Sequence, residues 1–436
     1  MNDSLTQDEL ADAWPVLDTA ERLQAVGLLS RPDAEDLFLT VSTRDQAELV
    51  LAMEPAERRM WLRLLAPDDA ADLLQEAPLA ERAAMLALLD PATRREVTGL
   101  LAYAEDQAGG LMNPHYARLR PDMSVAEATA YLHRFARAHR DTTYYAYVLD
   151  AEQRVLGTAS FRELFAADPA RPITDVMRPD PVTVREDLDQ EEVSKIFAAH
   201  HFLALPVVDD AGRMKGVVTI DDVVDVVREE ATEDIQKIGG TEALDAPYLA
   251  VGFASMVRKR AGWLSALFLG EMLTATAMGR YEDEIARAVV LALFVPLIIS
   301  SGGNSGSQAT TLVIRAMALG EVGLRDWWRV IRRELASGLV LGSILAAIGL
   351  VRILVWQGMF HAYGAHYGLI AATVSLSLIG VVTFGTLAGS MLPFVLRRLG
   401  LDPASASAPF VATLVDVTGL VIYFSVASVV LRGTLL

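Results

Sequence analysis

Hydrophobic and polar positions are distributed differently before and after about residue 256. Beyond that point, five runs are nearly free of charged side chains, at 261–279, 288–314, 335–351, 369–396 and 403–431. Only Glu271 and Asp416 interrupt them. A helix needs about 20 apolar residues to cross the hydrocarbon layer of a bilayer. The pattern therefore predicts an α-helical membrane domain over 256–436 with five transmembrane helices.

Basic residues between these runs predict the orientation. One set of alternate connections carries ten: Arg258, Lys259, Arg260, Arg315, Arg325, Arg329, Arg332, Arg333, Arg397 and Arg398. The opposite connections carry four: Arg280, Arg287, Arg352 and Arg432. Residues 1–15 lack the basic and apolar regions of a cleavable signal peptide. Because basic loops stay in the cytoplasm, we expect a multi-pass protein of a bacterial inner membrane, with a cytoplasmic N-terminus and an external C-terminus.

The N-terminal part shows helical and mixed patterns. Residues 1–110 carry apolar side chains at helical spacing, interrupted by Pro and Asp, which predicts an all-α superhelical N domain. Residues 111–228 alternate between strand and helix patterns in two copies about 60 residues apart, at 111–170 and 171–228. Residues 221–255 read as one long acidic connecting helix and a linker. The predicted fold class is multidomain, with an α/β pair between two helical parts.

Composition narrows the classes of function. The 436 residues are 52% hydrophobic, and the net charge of −18 divides into −23 before residue 256 and +5 from there on. An acidic front half disfavours nucleic acid and anionic lipid and favours cations as partners. The sequence has no cysteine, which excludes disulfides and thiolate metal sites. It contains no Gly-x-Ser-x-Gly, Walker A or HExxH motif, so we expect neither an enzyme nor an ATP-driven pump.

The strongest chemical signal is Asp416, which lies near the middle of the last apolar run. A carboxylate at that depth costs about 2.5–3.5 kcal/mol and normally faces a cavity, a partner or an ion. A protonated Asp bonded to a neighbouring helix is the ordinary alternative. A second signal is the run from Pro296 to Gln308, where Gly302, Gly303 and Asn304 predict a loosened helix that offers carbonyl oxygens, unless the glycines only form a packing face. Together these oxygens predict a path for hard cations such as Mg²⁺.

Glu271 is the other acid within a predicted span. It is either a second ligand of the pore or a group held by a helix–helix hydrogen bond or water. The sequence leaves both readings open.

Acidic residues of the front half form a second candidate set. They are Asp68, Asp72, Asp189, Glu191, Asp222, Asp225, Glu230, Glu233 and Asp234. Most acidic runs are solvated faces or partners of helix N-termini. If such surfaces pack together, however, their carboxylates repel by roughly 1 kcal/mol per pair at about 4 Å, even in water. Divalent cations would relieve that repulsion, so the acids suggest a cation-sensitive gate.

A third candidate is a nucleotide site. Thr219 and Asp222 stand three residues apart after a predicted strand, an arrangement that suits phosphate and ribose. Ser160 and Glu163 are the equivalents in the first copy, where we do not expect a second site. The adjacent His200 and His201 do not share a helix face and read as surface residues rather than a metal pair.

Taken together, these residues resemble the MgtE family of magnesium channels over nearly the whole chain. The N domain carries Pro67-Asp68-Asp69-Ala70-Ala71-Asp72-Leu73-Leu74, and the repeats look like cystathionine-β-synthase (CBS) domains. The membrane part carries Gly302-Gly303-Asn304-Ser305-Gly306-Ser307-Gln308, Asp402-Pro403-Ala404 and Thr413-Leu414-Val415-Asp416-Val417-Thr418-Gly419. The chain departs from the family at Ala408, because the family often has Asn just before the proline that is Pro409 here.

The resemblance implies a homodimer with its pore on the two-fold axis in the lipid bilayer. Asp416 would face a largely hydrated Mg²⁺, beside Ala412, Asn304, Gly302 and Gly303. High cytosolic Mg²⁺ would bind the acids of the N domain, the CBS pair and the connecting plug helix and close the pore, with Asp402 joining the closing site. ATP between the CBS copies would act as a regulator.

Three alternatives stay open at this point. One is a broader divalent path that also passes Co²⁺, Ni²⁺ or Ca²⁺, because pore width and retained water decide selectivity. Another is a membrane-anchored Mg²⁺ or nucleotide sensor without transport. The third is a secondary transporter coupled to protons through Glu271 or Asp416.

Overall fold

The computed structural model describes residues 7–138, 144–244, 246, 248–249 and 251–435. The chain divides into two compact units, Met1–Arg228 and Glu229–Leu436. We describe each unit by itself.

Short helices form the first part of the N-terminal unit, as predicted. They are α1 (Gln7–Ala13), α2 (Thr19–Leu28), α3 (Arg31–Thr40), α4 (Thr43–Ala52), α5 (Pro55–Leu62), α6 (Pro67–Glu76), α7 (Leu79–Leu88), α8 (Pro91–Leu100) and α9 (Ala108–Leu111). Side chains of Asp18, Ser30, Ser42 and Asp90 cap four of them. The series α2, α4, α6 and α8 packs in succession, and α5 packs on α7. This alternate packing is the superhelical arrangement that the sequence predicts.

The rest of this unit contains two related α/β layers. The first consists of β1 (Ala117–Leu119), α10 (Val125–Ala138), β2 (Tyr145–Leu149), β3 (Val155–Ser160), α11 (Phe161–Ala166) and β4 (Arg178–Pro179). The second consists of β5 (Val184–Arg185), α12 (Gln190–His200), β6 (Ala204–Val208), β7 (Met214–Thr219) and the start of α13 (Ile220–Ile238). The described strands form sheets of order β1-β2-β3-β4 and β5-β6-β7.

Strand register supports the internal repeat. In both copies a first strand runs parallel to the second, and the second pairs antiparallel with the third. The register shifts at Val148/Leu149 in one copy and at Val207/Val208 in the other, which are equivalent places. Strand β4 pairs with β3 through Gly157↔Pro179, so residues beyond 170 complete the sheet of the first copy.

The C-terminal unit contains five helices that are long and apolar enough to cross a membrane. Its α-helices are α14 (Phe253–Arg280), α15 (Glu282–Arg287), α16 (Val295–Ala318), α17 (Trp327–Phe360), α18 (Tyr367–Arg398) and α19 (Ala408–Val430). A 3-10 helix, Val289–Phe294, precedes α16. The prediction of five spans is thus confirmed, with α15 as a short exposed helix between the first two.

The predicted loosening of the second span is wrong. Helix α16 is continuous from Val295 to Ala318, through Gly302 and Gly306. Pro296 lies in its first turn, where the missing amide donor costs nothing. Gly306 lies against the backbone of Gly385 on α18, and a Cβ there would come within 2.9 Å of the Gly385 carbonyl oxygen. The glycines therefore permit close helix packing and leave their carbonyls in the helix.

Candidate functional site

Asp416 lies on α19 opposite the glycine-rich face of α16. A Cβ built on Gly303 would lie 3.5 Å from the Cβ of Ala412 and 3.9 Å from Oδ1 of Asp416. Asp416 and Ala412 are both partly buried. No group in the described part of the chain donates a hydrogen bond to this carboxylate, so the alternative of an Asp bonded to a neighbouring helix has no support here. Gly303, Ala412 and Asp416 form one small-residue surface with an acidic group.

The other two predicted pore residues lie elsewhere on α16. Gly302 is buried, and a Cβ there would come within 2.7 Å of Val415 Cγ1, so this residue takes part in the packing of α16 on α19. Adjacent helix positions point about 100° apart, which separates Gly302 from Gly303. Asn304 is exposed, and its Nδ2 donates to Ser300 Oγ at 3.4 Å.

Asp68 and Asp222 come together inside the N-terminal unit. Asp68 lies in the first turn of α6, is 6% exposed and accepts a hydrogen bond of 3.0 Å from Asn113 Nδ2. Burial, and then the charge of Asp222, raises the pKa of Asp68 well above its ordinary value. Burial, and then the charge of Asp221, raises the pKa of Asp222. Two carboxyl groups thus meet at a place that favours either a bound proton or a bound cation, while the Asn113 amide donates to Asp68 and its oxygen accepts from the His115 NH at 2.8 Å.

The predicted nucleotide role of Thr219 and Asp222 is not supported by this geometry. Thr219 is buried and its Oγ1 donates to Asp222 Oδ2 at 2.7 Å, while its backbone NH contacts the same oxygen at 3.4 Å. These contacts give Asp222 a capping role at the start of α13.

A cavity of about 650 Å³ lies beside Ser160 and Glu163, the first-copy equivalents of Thr219 and Asp222, where we did not expect a second nucleotide site. Residues of both copies line it, among them Tyr145, Ser160, Glu163, Arg178, His200, His201 and Phe202. Arg178 Nε donates to Glu163 Oε1 at 2.5 Å, and the His200 ring stacks on Phe202 at 5.2 Å. The cavity therefore offers a cation and stacked rings. The two histidines line it, although they were expected to be ordinary surface residues.

Asp402 and Glu233 both form ion pairs with Lys237, a residue that sequence reasoning missed. Lys237 Nζ donates to Asp402 Oδ2 at 2.6 Å and also pairs with Glu233, one turn earlier on α13. Burial acts to lower the pKa of Lys237, but the hydrogen bonds to Asp402 and Glu233 outweigh it and raise the pKa. Asp402 also accepts from the Ala404 backbone NH at 2.8 Å. A positive residue within a strongly acidic helix was the signal available in the sequence.

The remaining predicted acids have mostly local partners. Asp189 caps α12 by accepting from the Glu191 NH at 2.9 Å, and Glu191 pairs with Lys195 at 3.0 Å. Asp225 pairs with Arg228 at 3.5 Å, with both side chains largely exposed. Asp72 acts electrostatically on Asp68. Glu230 and Asp234 lie one turn apart on α13.

No group of three or more His, Asp or Glu side chains able to hold a metal occurs among the residues that the structure describes. Among these residues, the pair of carboxyl groups of Asp68 and Asp222 comes nearest to a divalent site. Such a pair is chemically suited to Mg²⁺, which binds through one or two carboxylates and keeps several waters. Sequence reasoning missed Asn113 as the hydrogen-bond donor to Asp68, although it stands before a proline at the start of the first copy.

Three family models match the chain. The model of the MgtE intracellular N domain matches residues 5–106, the CBS domain model matches 173–229, and the model described as a divalent cation transporter, MgtE, matches 295–426. The magnesium transporter MgtE of Thermus thermophilus is 44% identical over 338 residues, which cover 78% of this chain and 73% of that protein. The magnesium transporter MgtE of Enterococcus faecalis is 32% identical over 338 residues, covering 77% and 72%.

One solved structure is that of the cytosolic domain of the Mg²⁺ channel MgtE in complex with ATP. It is 40% identical, covers 51% of this chain and 90% of that chain, and superposes with a TM-score of 0.48. The three family matches follow the order of the parts that the sequence predicts, and the matched families are those of a transporter and not of an enzyme. By its similarity over most of its length to the Thermus and Enterococcus proteins, the chain belongs to the MgtE family of magnesium transporters.

Proposed function

We propose that this membrane protein is a Mg²⁺-selective channel for magnesium uptake, with Asp416 facing the ion. The observation that carries the proposal is the surface formed by Gly303, Ala412 and Asp416, where a carboxylate without a described donor stands among residues with little or no side chain. The partly exposed position of the acid suits a hydrated ion, since Mg²⁺ dehydrates reluctantly. Measurement of Mg²⁺ entry into proteoliposomes, with and without the Asp416 carboxylate, tests it.

The functional unit that we propose is a homodimer with its N-termini in the cytoplasm. In a single chain Asn304 is exposed and Asp416 is only partly buried, although both belong to membrane-spanning helices. Exposure of such groups to lipid is costly, and a second copy across a two-fold axis would cover them and enclose the path. The excess of Lys and Arg on alternate connections supports the orientation.

Regulation in this proposal begins at Asp68 and Asp222. Cytosolic Mg²⁺ bound between the two acids would displace a bound proton and neutralise the repulsion between the carboxylates. Its binding would thereby stabilise the closed state. Helix α13 carries Asp222 in its first turn and Lys237 in its last. Lys237 holds Asp402, and the neighbouring Ile238 packs with Ile314, Ala404 and Ala406. In this proposal a change at the acids is passed along the helix to Lys237 and Asp402.

Removal of Lys237 is expected to lower stability in the absence of divalent cations. Each half-exposed ion pair contributes about 0.2–1 kcal/mol, so Lys237→Gln should lower the unfolding temperature of the full chain by about 2–4 °C in chelator. Mg²⁺ should raise the unfolding temperature of this variant by more than that of the wild type, because Glu233 and Asp402 lack their lysine and are free to bind the cation. The matched control is Arg329→Gln, whose pair with Asp326 is mostly exposed. Equal curves for both variants would contradict the role of Lys237.

ATP is proposed to bind in the cavity beside Arg178 and not at Thr219. A guanidinium suits phosphate, and stacked rings such as His200 and Phe202 suit a base. A charge-assisted hydrogen bond contributes about 1.5–3 kcal/mol. Arg178→Gln should therefore weaken ATP binding by roughly tenfold or more in titration calorimetry, whereas Thr219→Ala should leave it within about twofold. The opposite ranking would return the site to Thr219 and Asp222.

Flux measurements also separate the alternatives. Competition by Co²⁺, Ni²⁺ or Ca²⁺ at similar concentrations would favour a broader divalent path. Binding of Mg²⁺ to the soluble half without any flux would favour a sensor. Flux that stops when the proton gradient is removed would favour a coupled transporter.

A further inference from the structure

Helix α14 lies directly along α19, the helix that carries Asp416. Near the start of both helices the Trp263 and Phe410 rings are 6.2 Å apart, and Trp263 Nε1 donates to Ser407 Oγ at 3.1 Å. Near the other end, Tyr281 stacks on Phe424 at 4.9 Å. The two helices therefore run in the same direction and stay in contact over most of their length.

The two contact points place Glu271 level with Asp416. Glu271 comes eight residues after Trp263, about 12 Å along the helix, and Asp416 comes six residues after Phe410, about 9 Å. Measured back from Tyr281 and Phe424, the distances are about 15 and 12 Å. Counted from Trp263 and Phe410, Glu271 lies about 3 Å beyond the level of Asp416. Counted from Tyr281 and Phe424, it lies about 3 Å before that level. Between them the two carboxyl groups lie at one level.

The packing of neighbouring residues turns this part of α14 toward α19. A Cβ built on Gly270 would lie 2.9 Å from Thr413 Cγ2, one turn before Asp416. Thr274, one turn after Gly270 on the same face, is 7% exposed, and its hydroxyl has no hydrogen-bond partner among the described residues. Glu271 lies beside this contact, and its charge acts on the Asp416 carboxylate. The contact between α14 and α19 thus carries two acids and an unbonded hydroxyl at one level.

A carboxylate at this place has no ordinary structural explanation in the described part of the chain. Glu271 is exposed on a helix that has no other charged residue from 261 to 279, and no residue that the structure describes forms an ion pair or hydrogen bond with it. A charge facing lipid at that depth costs about 2.5–3.5 kcal/mol. The cost is offset if the group faces water and a cation.

We propose that Glu271 is a second acidic residue of the ion path, which attracts the hydrated divalent cation at the level of Asp416 through its water shell. This inference rests on the proposed channel function. Because electrostatic attraction grows with the charge of the ion, a second carboxylate favours divalent over monovalent cations. Glu271 therefore sets the affinity for the ion, while Asp416 is the residue that the ion must pass.

The test is Mg²⁺ entry into proteoliposomes that contain the full chain, measured over a range of external Mg²⁺ at low internal Mg²⁺. Glu271→Gln keeps the size of the side chain and removes the charge. It should raise the half-saturating Mg²⁺ concentration by about three- to tenfold and change the maximal rate less. Glu271→Asp keeps the charge and should stay within about twofold of the wild type. Glu321→Gln, which removes an exposed acid after α16, is the matched control.

Two results would overturn the inference. One is a half-saturating Mg²⁺ concentration in Glu271→Gln that equals that of the wild type. The other is an equal rise of this concentration in the Gln and Asp variants, which would mean that the shape of the side chain and not its charge determines the affinity. If the Gln variant does not fold, Glu271→Ala takes its place, and an unchanged half-saturating concentration in that variant overturns the inference equally. Flux that needs Asp416 but ignores Glu271 would refute this inference alone, and wild-type protein without flux would refute the channel function itself.

Discussion

Replacing Asp416 with Asn is expected to reduce Mg²⁺ entry into proteoliposomes by at least about thirtyfold, which corresponds to ~2 kcal/mol. The amide has the same shape as the carboxylate, so the helix contacts around Gly303 and Ala412 remain. What is lost is the attraction between a fixed negative charge and a divalent ion in surroundings of lower dielectric than water. The measurement is initial flux at low internal Mg²⁺.

The control for this variant is Glu321→Gln, which also removes one acidic charge but lies in an exposed connection. Its flux should equal that of the wild type. Equal flux in Asp416→Asn and wild type, with both variants folded by size-exclusion chromatography, would show that the ion takes another route through the membrane unit.

Removal of the acids at the buried pair is expected to abolish closure. Asp68→Asn combined with Asp222→Asn should leave the channel conducting at cytosolic Mg²⁺ concentrations that close the wild type, because the cation no longer has two carboxylates to bridge. We expect the Mg²⁺ concentration for half closure to rise by about tenfold or more. Patch recordings or flux assays with controlled Mg²⁺ on the cytoplasmic side measure it.

Asp225→Asn is the matched control, since this residue lies on the same helix but is exposed and paired with Arg228. Closure that is normal in the double variant would refute the role of the buried pair. Loss of closure only when Asp225 is also replaced would move the site to the exposed face of α13.

The same pair predicts how stability depends on pH. Burial raises the pKa of Asp68 and of Asp222 above their values in the unfolded chain. Their contribution to stability is therefore complete below the unfolded carboxyl pKa of about 4 and is lost as pH rises through the raised values. In chelator, the unfolding temperature of the wild type should fall between about pH 5 and pH 8, Mg²⁺ should reverse that fall, and the double variant should show neither effect.

The membrane helices were predictable because a span is a local property of the sequence. Twenty apolar residues in a row cross a bilayer whatever their partners are, and five such runs became five helices. The internal repeat was predictable for a similar reason, because alternation along a strand and helical spacing are read within ten or twenty residues.

Residues 296–308 show where local reading fails. Proline and glycine usually weaken a helix, and the run was expected to loosen. Inside a bundle, however, Pro296 falls in the first turn and the glycines allow α18 to approach closely, so the helix stays intact. Thr219 and Asp222 have a spacing that suits a nucleotide, and the structure adds that their side chains bond to each other.

The sequence by itself determined the order of the parts, the five spans and the presence of an acid in the last span. Tertiary structure decided which polar groups meet. Asp68, Asn113 and Asp222 are far apart in the chain and come together because α6, a loop and α13 pack on one another. Gly302 and Gly303 are neighbours in sequence and both are buried, yet Gly302 lies against Val381 and Val415 while Gly303 lies against Ala412 and Asp416, because consecutive residues on a helix point in different directions.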